Sequence, residues 1–121
     1  LERLWDVPAE INSADSLITA SEELVCSALL IFTSVWKRSS AKYGDFTYTA
    51  ALLEAGHMSE NVLLVSTALG LETRPMLGFN DQKIPSLLDL DEENEQAVHA
   101  ITLAKPGPSG VPKVAGTVLA E

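Results

Sequence analysis

The segment from Phe46 to Leu69 constrains the fold more than any other. It contains no proline, carries Ala50, Ala51, Ala55 and Ala68, and repeats apolar residues at three- and four-residue spacing. Leu53, His57, Asn61, Leu64 and Ala68 fall on one stripe of a helix, and Leu52, Ala55, Val62, Val65 and Leu69 fall beside it. So wide an apolar surface predicts a long helix covered on more than one side, with alanines that let a neighbour approach closely. Gly70-Leu71 supplies the stop: glycine takes the left-handed position and leucine packs back.

Shorter elements surround this helix. Ala28-Leu29-Leu30-Ile31-Phe32-Thr33 is an apolar, partly β-branched block, which predicts a strand buried on both faces. Trp36 to Gly44 turns polar and basic, as a short helix that Gly44 ends. Thr73 to Phe79 is extended, because Pro75 bars a helix there. Asn80-Asp81 caps a short helix reaching Leu88, with Pro85 in or near its first turn. Asp89 to Glu95 is an acidic, solvated connection that lacks the spacing and glycine of a calcium loop. Ala97 to Leu103 alternates as a strand. Residues 1–22 form a poorly defined N-terminal segment, with weak capping chemistry at Ser13–Ser16, and residues 105–121 a Pro/Gly-rich arm. The order strand, long helix, strand, short helix, strand reads as one layered α+β or α/β domain over residues 1–121.

Charge and cysteine usage bound the function. Lys and Arg number 8 against 17 Asp and Glu, a net charge of −9, which argues against nucleic acid or anionic lipid as partner. Cys26, the one cysteine, lies in the apolar run Val25 to Phe32 and reads as a small buried hydrophobe in a reducing, cytoplasmic setting. The first residues lack the basic-then-apolar order of a signal peptide, and Leu24–Trp36 is too short and too interrupted to cross a bilayer. The absence of an initiator Met suggests a fragment, a processed chain or a trimmed one. No Walker motif or dinucleotide fingerprint is present. No metal-ligand cluster is visible either, because His57 and His99 each lack a second ligand at helical or strand spacing.

Three motifs in order go further. Glu54-Ala55-Gly56-His57-Met58-Ser59-Glu60-Asn61-Val62-Leu63-Leu64, then Ala68-Leu69-Gly70-Leu71, then Pro75-Met76-Leu77-Gly78-Phe79-Asn80-Asp81, resemble the nitroreductase superfamily. The Gly56-His57 form of the helix and the preceding Lys42-Tyr43-Gly44 resemble its SagB-type branch, which includes dehydrogenases that oxidise thiazoline and oxazoline rings in modified peptides. The likeness covers about half of the chain, Tyr43 to Leu103. The resemblance implies an α+β fold: a mixed sheet flanked by helices, with a long central helix at the interface of a homodimer. This chain would supply the C-terminal half, pairing with a second copy or with a missing N-terminal half.

The same resemblance implies FMN at that interface. Pro75, Met76, Leu77 and Gly78 match the segment passing the flavin edge, where the Leu77 and Gly78 amides would donate toward N5 and O4, and glycine would admit the ring closely. Lys42 and Tyr43 match the pair that removes a proton as the substrate ring is aromatised; a basic surface turn is the alternative reading. His57 and Asn61, one turn apart, fit a structural hydrogen bond. The chain also departs from the pattern. No Arg-rich segment matches the family's phosphate anchor, Glu2-Arg3-Leu4 included, and Lys105 and Lys113 are the candidates for a second anchor. Two functions follow: part of an FMN-dependent oxidoreductase acting on a small molecule or modified peptide, or a flavin-free module serving as a dimerisation or peptide-binding scaffold.

Overall fold

A computed structural model of the chain describes residues 27–106. The expectations for the first 26 residues, including Cys26, and for the arm beyond Pro106 lie outside the described residues. Three strands and three helices alternate: β1 (Ala28–Val35), α1 (Trp36–Tyr43), α2 (Thr47–Ala68), β2 (Glu72–Met76), α3 (Lys83–Leu88) and β3 (Glu95–Ala104). A 3-10 turn, Gly44–Phe46, joins α1 to α2.

The sheet order is β1-β3-β2, with both outer strands antiparallel to β3. The outer strands therefore run parallel to each other, and the chain crosses between them through α1 and α2 before β3 fills the gap. This is a split β-α-β arrangement. Register fixes the ends: Val35 faces Glu95 at one end, while Ala28 faces Leu103 and Glu72 faces Ala104 at the other.

One irregularity breaks the ladder. Phe32 faces His99 but Thr33 faces Ala97, so Val98 is an extra residue on β3. Such a bulge re-aims side chains on either side of it. Here His99 bonds Ser59 of α2, while Val98 lines a groove together with Ala51 and Ala55 of α2. Two consecutive strand residues thus reach the helix side.

The long helix forms where the apolar periodicity predicts it, and its ends have local causes. Thr47 Oγ1 donates to the Gly44 carbonyl at 2.7 Å, tying the first turn to the 3-10 turn. Gly70 adopts φ +69, and the Leu71 amide reaches back to the Ser66 carbonyl at 2.9 Å. That six-to-one hydrogen bond closes a helix terminus through a left-handed residue. Asn80 likewise caps α3, its Oδ1 accepting from the amides of Gln82 and Lys83, with Pro85 inside the first turn where its missing N–H costs little.

Packing distinguishes the faces of α2. Its buried residues are Thr47, Ala51, Ala55, Ser59 and Ser66, a line of small side chains that lets the helix approach the sheet. The stripe Leu53, His57, Asn61, Leu64 and Ala68 lies on roughly the opposite face, and every member is exposed. The fully covered apolar core is small: Ala51, Ala55, Ile84, Ala100 and Ile101. Burying Ile84 and Ile101 stabilises the fold by about 1.5–3 kcal/mol each. Around them, Leu52, Leu53, Met58, Leu64, Val65 and Leu69 remain exposed along and just past the helix. A core this small beside so much exposed apolar surface belongs to part of a larger fold.

Strand β1 corrects one expectation. None of its residues is fully buried, and Leu30 is 38% exposed. Only β3 pairs with it among the described residues, so one backbone edge and part of its surface lack the cover that a central strand has. Among the described residues no helix is long and apolar enough to cross a membrane.

Candidate active site

Lys42 and Tyr43 occupy the last turn of α1. The helix begins directly after β1, where the Trp36 amide donates to the Asn94 carbonyl at 2.7 Å and joins the end of β1 to the start of β3. It stops at Gly44, whose φ of +53 suits glycine and whose amide returns to the Ser40 carbonyl. Lys42 Nζ lies 4.9 Å from the Tyr43 ring centroid, a cation–π distance. Both side chains are exposed, which leaves them reachable from solvent.

The second set continues β2. Pro75 faces Ile101 and Met76 faces Ala100, the last laddered pair of that strand. Leu77 and Gly78 follow beyond the ladder, both exposed, before Asn80 starts α3. The amides of Leu77 and Gly78 thus stand past the last ladder position, where donors can face a ligand.

The two sets leave the sheet in the same direction. Because β1 and β2 run parallel, α1 and the Leu77–Gly78 turn both leave from carboxyl ends, toward the end where β3 begins. They leave from opposite edges, separated by β3, and at different heights: β1 ends opposite Glu95 and β2 opposite Ala100, five residues or roughly 17 Å apart along β3. Each set is internally contiguous.

The group implied by the family likeness is FMN, and the described residues fit one edge of it. Past the ladder, Leu77 and Gly78 offer two amides, and Gly78 adds no side chain to obstruct a flat ring. Fit at the phosphate is missing among the candidate anchors. Lys105 follows the C-terminal end of β3, five residues beyond Ala100, or roughly 17 Å further along the strand and away from Gly78. Lys113 lies outside the described residues.

Two features were not legible from residue types alone. His99 Nε2 and Ser59 Oγ lie 2.9 Å apart, linking β3 to α2, and the Phe32 ring is 5.8 Å from the imidazole. Burial lowers the His99 pKa below its ordinary value of 6.5. Ser59 is only 6% exposed, so this pair holds the helix on the sheet rather than meeting a substrate. His57, by contrast, is exposed on the outer face of α2. The second feature is an open groove of about 230 Å³ between β1 and α2, bounded by Ile31, Phe32, Ala55, Met58 and Val98, with Glu54 as its one charged residue. Lys42, Tyr43 and Pro75–Gly78 do not line it. Its walls are chiefly apolar, which suits packing better than reaction. Among the described residues no three His, Cys, Asp or Glu side chains gather as a metal site.

Comparison with known proteins decides the family. The nitroreductase family pattern matches residues 17–105. The chain belongs to the nitroreductase family. This nitroreductase-family chain is 32% identical over 68 residues to MJ1384 of Methanocaldococcus jannaschii, described as a nitroreductase, covering 56% of the chain and 34% of that protein. It is 30% identical over 63 residues to the microcin B17-processing protein McbC of Escherichia coli, covering 52% of the chain and 23% of McbC. Similarity to McbC agrees with the SagB-type branch expected from Lys42-Tyr43-Gly44 and Gly56-His57. Among solved structures, the E. coli microcin synthetase McbBCD complex with truncated pro-MccB17 bound matches with a TM-score of 0.62 at 24% identity, over 65% of this chain and 30% of that one. At that identity the likeness is one of fold. The chain spans about a third or less of the length of these curated relatives.

Proposed function

We propose that the chain is part of a flavin-dependent oxidoreductase of the SagB type, which oxidises a thiazoline or oxazoline ring in a peptide. The observation that carries this reading is strand direction: the helix bearing Lys42 and Tyr43 and the turn bearing Leu77 and Gly78 both follow carboxyl ends of parallel outer strands. Similarity to a peptide-processing protein supports the substrate class. The lone Cys26 suits a cytoplasmic setting.

Aromatising such a ring removes a hydride from one ring atom and a proton from its neighbour, and a double bond forms between them. FMN, when bound, supplies the acceptor for the hydride. Either Lys42 or Tyr43 takes the proton, and the 4.9 Å contact holds the second beside it as an orienting partner. The Leu77 and Gly78 amides donate to the polar edge of the flavin ring, and being fixed in the backbone they need no reorganisation. Phosphate-binding cations come from the rest of the fold or from a second copy, which would also cover the outer face of α2.

The test uses the full-length protein. Lys42→Ala and Tyr43→Phe should each retain flavin, read from its visible absorbance, and lose turnover of a thiazoline peptide by roughly a hundredfold, the usual scale of acid–base assistance. Full activity in both variants overturns the role of the pair. The second reading is a flavin-free scaffold for dimerisation or peptide binding, favoured by the placement of Lys105 at the far end of β3. An unmutated protein that purifies colourless and takes up no added FMN would decide for it.

A further inference from the structure

We infer that Lys37 and Arg38 form an acid-selecting subsite beside Lys42 and Tyr43, holding an acidic residue of the peptide about two positions from the reacting ring. This rests on the peptide-oxidation reading above and adds a specificity that the catalytic pair does not supply.

The cations are concentrated against the trend of the chain. At a net charge of −9, no acid occurs from Ala28 through Gly44, while Lys37, Arg38 and Lys42 all lie on one eight-residue helix. At about 100° per residue these three and Ala41 share a single arc, and all four are exposed. The cationic surface is therefore the outward face of the whole helix.

Helix stability does not account for these residues. The first turn of α1 holds no acid and its N-cap makes no side-chain hydrogen bond, yet Lys37 and Arg38 stand there, where the helix dipole disfavours positive charge. Arg38 and Lys42 are four apart, so the like charges repel. Neither Lys37 nor Arg38 forms an ion pair with another described residue. A short helix that carries uncompensated charge in the wrong turn breaks a local rule, and such breaks concentrate at functional positions.

Neighbouring aromatics give a peptide something to lie on. Trp36 and Tyr48 pack with ring centroids 5.8 Å apart, and Tyr48 and Phe46 are 61% and 55% exposed. The Trp36 and Tyr48 side chains combine apolar contact with a polar tip, and Phe46 adds apolar surface. The spacing fits as well. Four to five residues of helix separate Lys37 and Arg38 from Lys42, about 6–7.5 Å, which an extended peptide covers in about two residues.

Binding is measured by fluorescence anisotropy on the full-length protein. The probe is a short labelled peptide carrying a thiazole, with glutamate at that spacing, set against its glutamine counterpart. The glutamate peptide should bind about fivefold more tightly, the preference should shrink with added salt, and Lys37→Glu with Arg38→Glu should abolish or reverse it. Lys83→Glu, on α3, changes net charge in the same direction and should leave the preference intact. Equal affinity for the two peptides overturns the subsite, as does loss of the preference in Lys83→Glu. Displacement of the peptide by single-stranded DNA at lower concentration also overturns it, in favour of a nucleic-acid surface. Failure of the parent reading looks different: the preference persists while Lys42→Ala and Tyr43→Phe leave turnover untouched. In turnover assays the double variant should raise KM for the glutamate peptide and leave kcat near its original value.

Discussion

His99 of β3 and Ser59 of α2 are joined at 2.9 Å between Nε2 and Oγ, a side-chain hydrogen bond between the long helix and the sheet. Ser59→Ala removes that partner from a partly buried imidazole and should destabilise the fold by about 1–3 kcal/mol, read from urea denaturation. Burial lowers the His99 pKa below 6.5, so between that lowered value and 6.5 the unfolded chain binds more protons than the folded one. Stability from this group is therefore present above pH 6.5 and is lost as pH falls through the folded value. His99→Gln should flatten that part of the stability profile; an unchanged slope would assign it to other groups.

The glycines of the helix region should respond in opposite senses. Gly70 has φ +69 with open space where a β-carbon would stand, so Gly70→Ala meets backbone strain alone and should cost about 1 kcal/mol. Gly56 lies inside α2, also with open space around it, and Gly56→Ala should stabilise by up to about 1 kcal/mol. Thermal denaturation of the two variants checks both. A loss of stability at Gly56 would mean that another surface packs against the helix there.

The outer face of α2 should be an interface. Leu53→Glu and Leu64→Glu replace residues that are 55% and 61% exposed, so neither should disturb the contacts between α2 and the sheet. Both should weaken association with the covering partner, whether a second copy or the rest of the fold. Analytical ultracentrifugation of the full-length protein would read this as a shift toward smaller species, with helical circular dichroism retained. Unaltered assembly in both variants would leave this face without a partner.

Flavin content should depend on Gly78 and not on the arm. Gly78→Val adds a branched side chain beside the two amides proposed to face the ring, and should lower bound flavin by tenfold or more, on the order of 1.4 kcal/mol. Gly107→Val, beyond the described residues, should leave it unchanged. Equal retention in both variants would remove Gly78 from the site.

Much of the fold was legible along the chain because its signals are local. Three- and four-residue apolar spacing fixes α2, Gly44 and Gly70 end their helices through left-handed backbone, and Asn80 caps α3 through its own side chain. The order of motifs from Lys42 to Asp81 was enough to indicate the family, since each motif is a run of neighbours.

Sequence alone determined which residues could serve as site candidates, where the helices stop, and that α2 carries more apolar surface than one contact can cover. Tertiary structure decided which face of α2 meets the sheet. Small residues, Ala51, Ala55 and Ser59, took the buried line, because close approach to β3 rewards small side chains more than large ones. Pairing across the sheet also decided that Lys42-Tyr43 and Leu77-Gly78 follow the carboxyl ends of parallel strands and that Lys105 lies in the opposite direction, a consequence of strand direction that no local pattern encodes. The bulge at Val98, which turns His99 toward Ser59, depends on a register between residues more than sixty positions apart. Contacts of that kind form only once the chain has closed on itself.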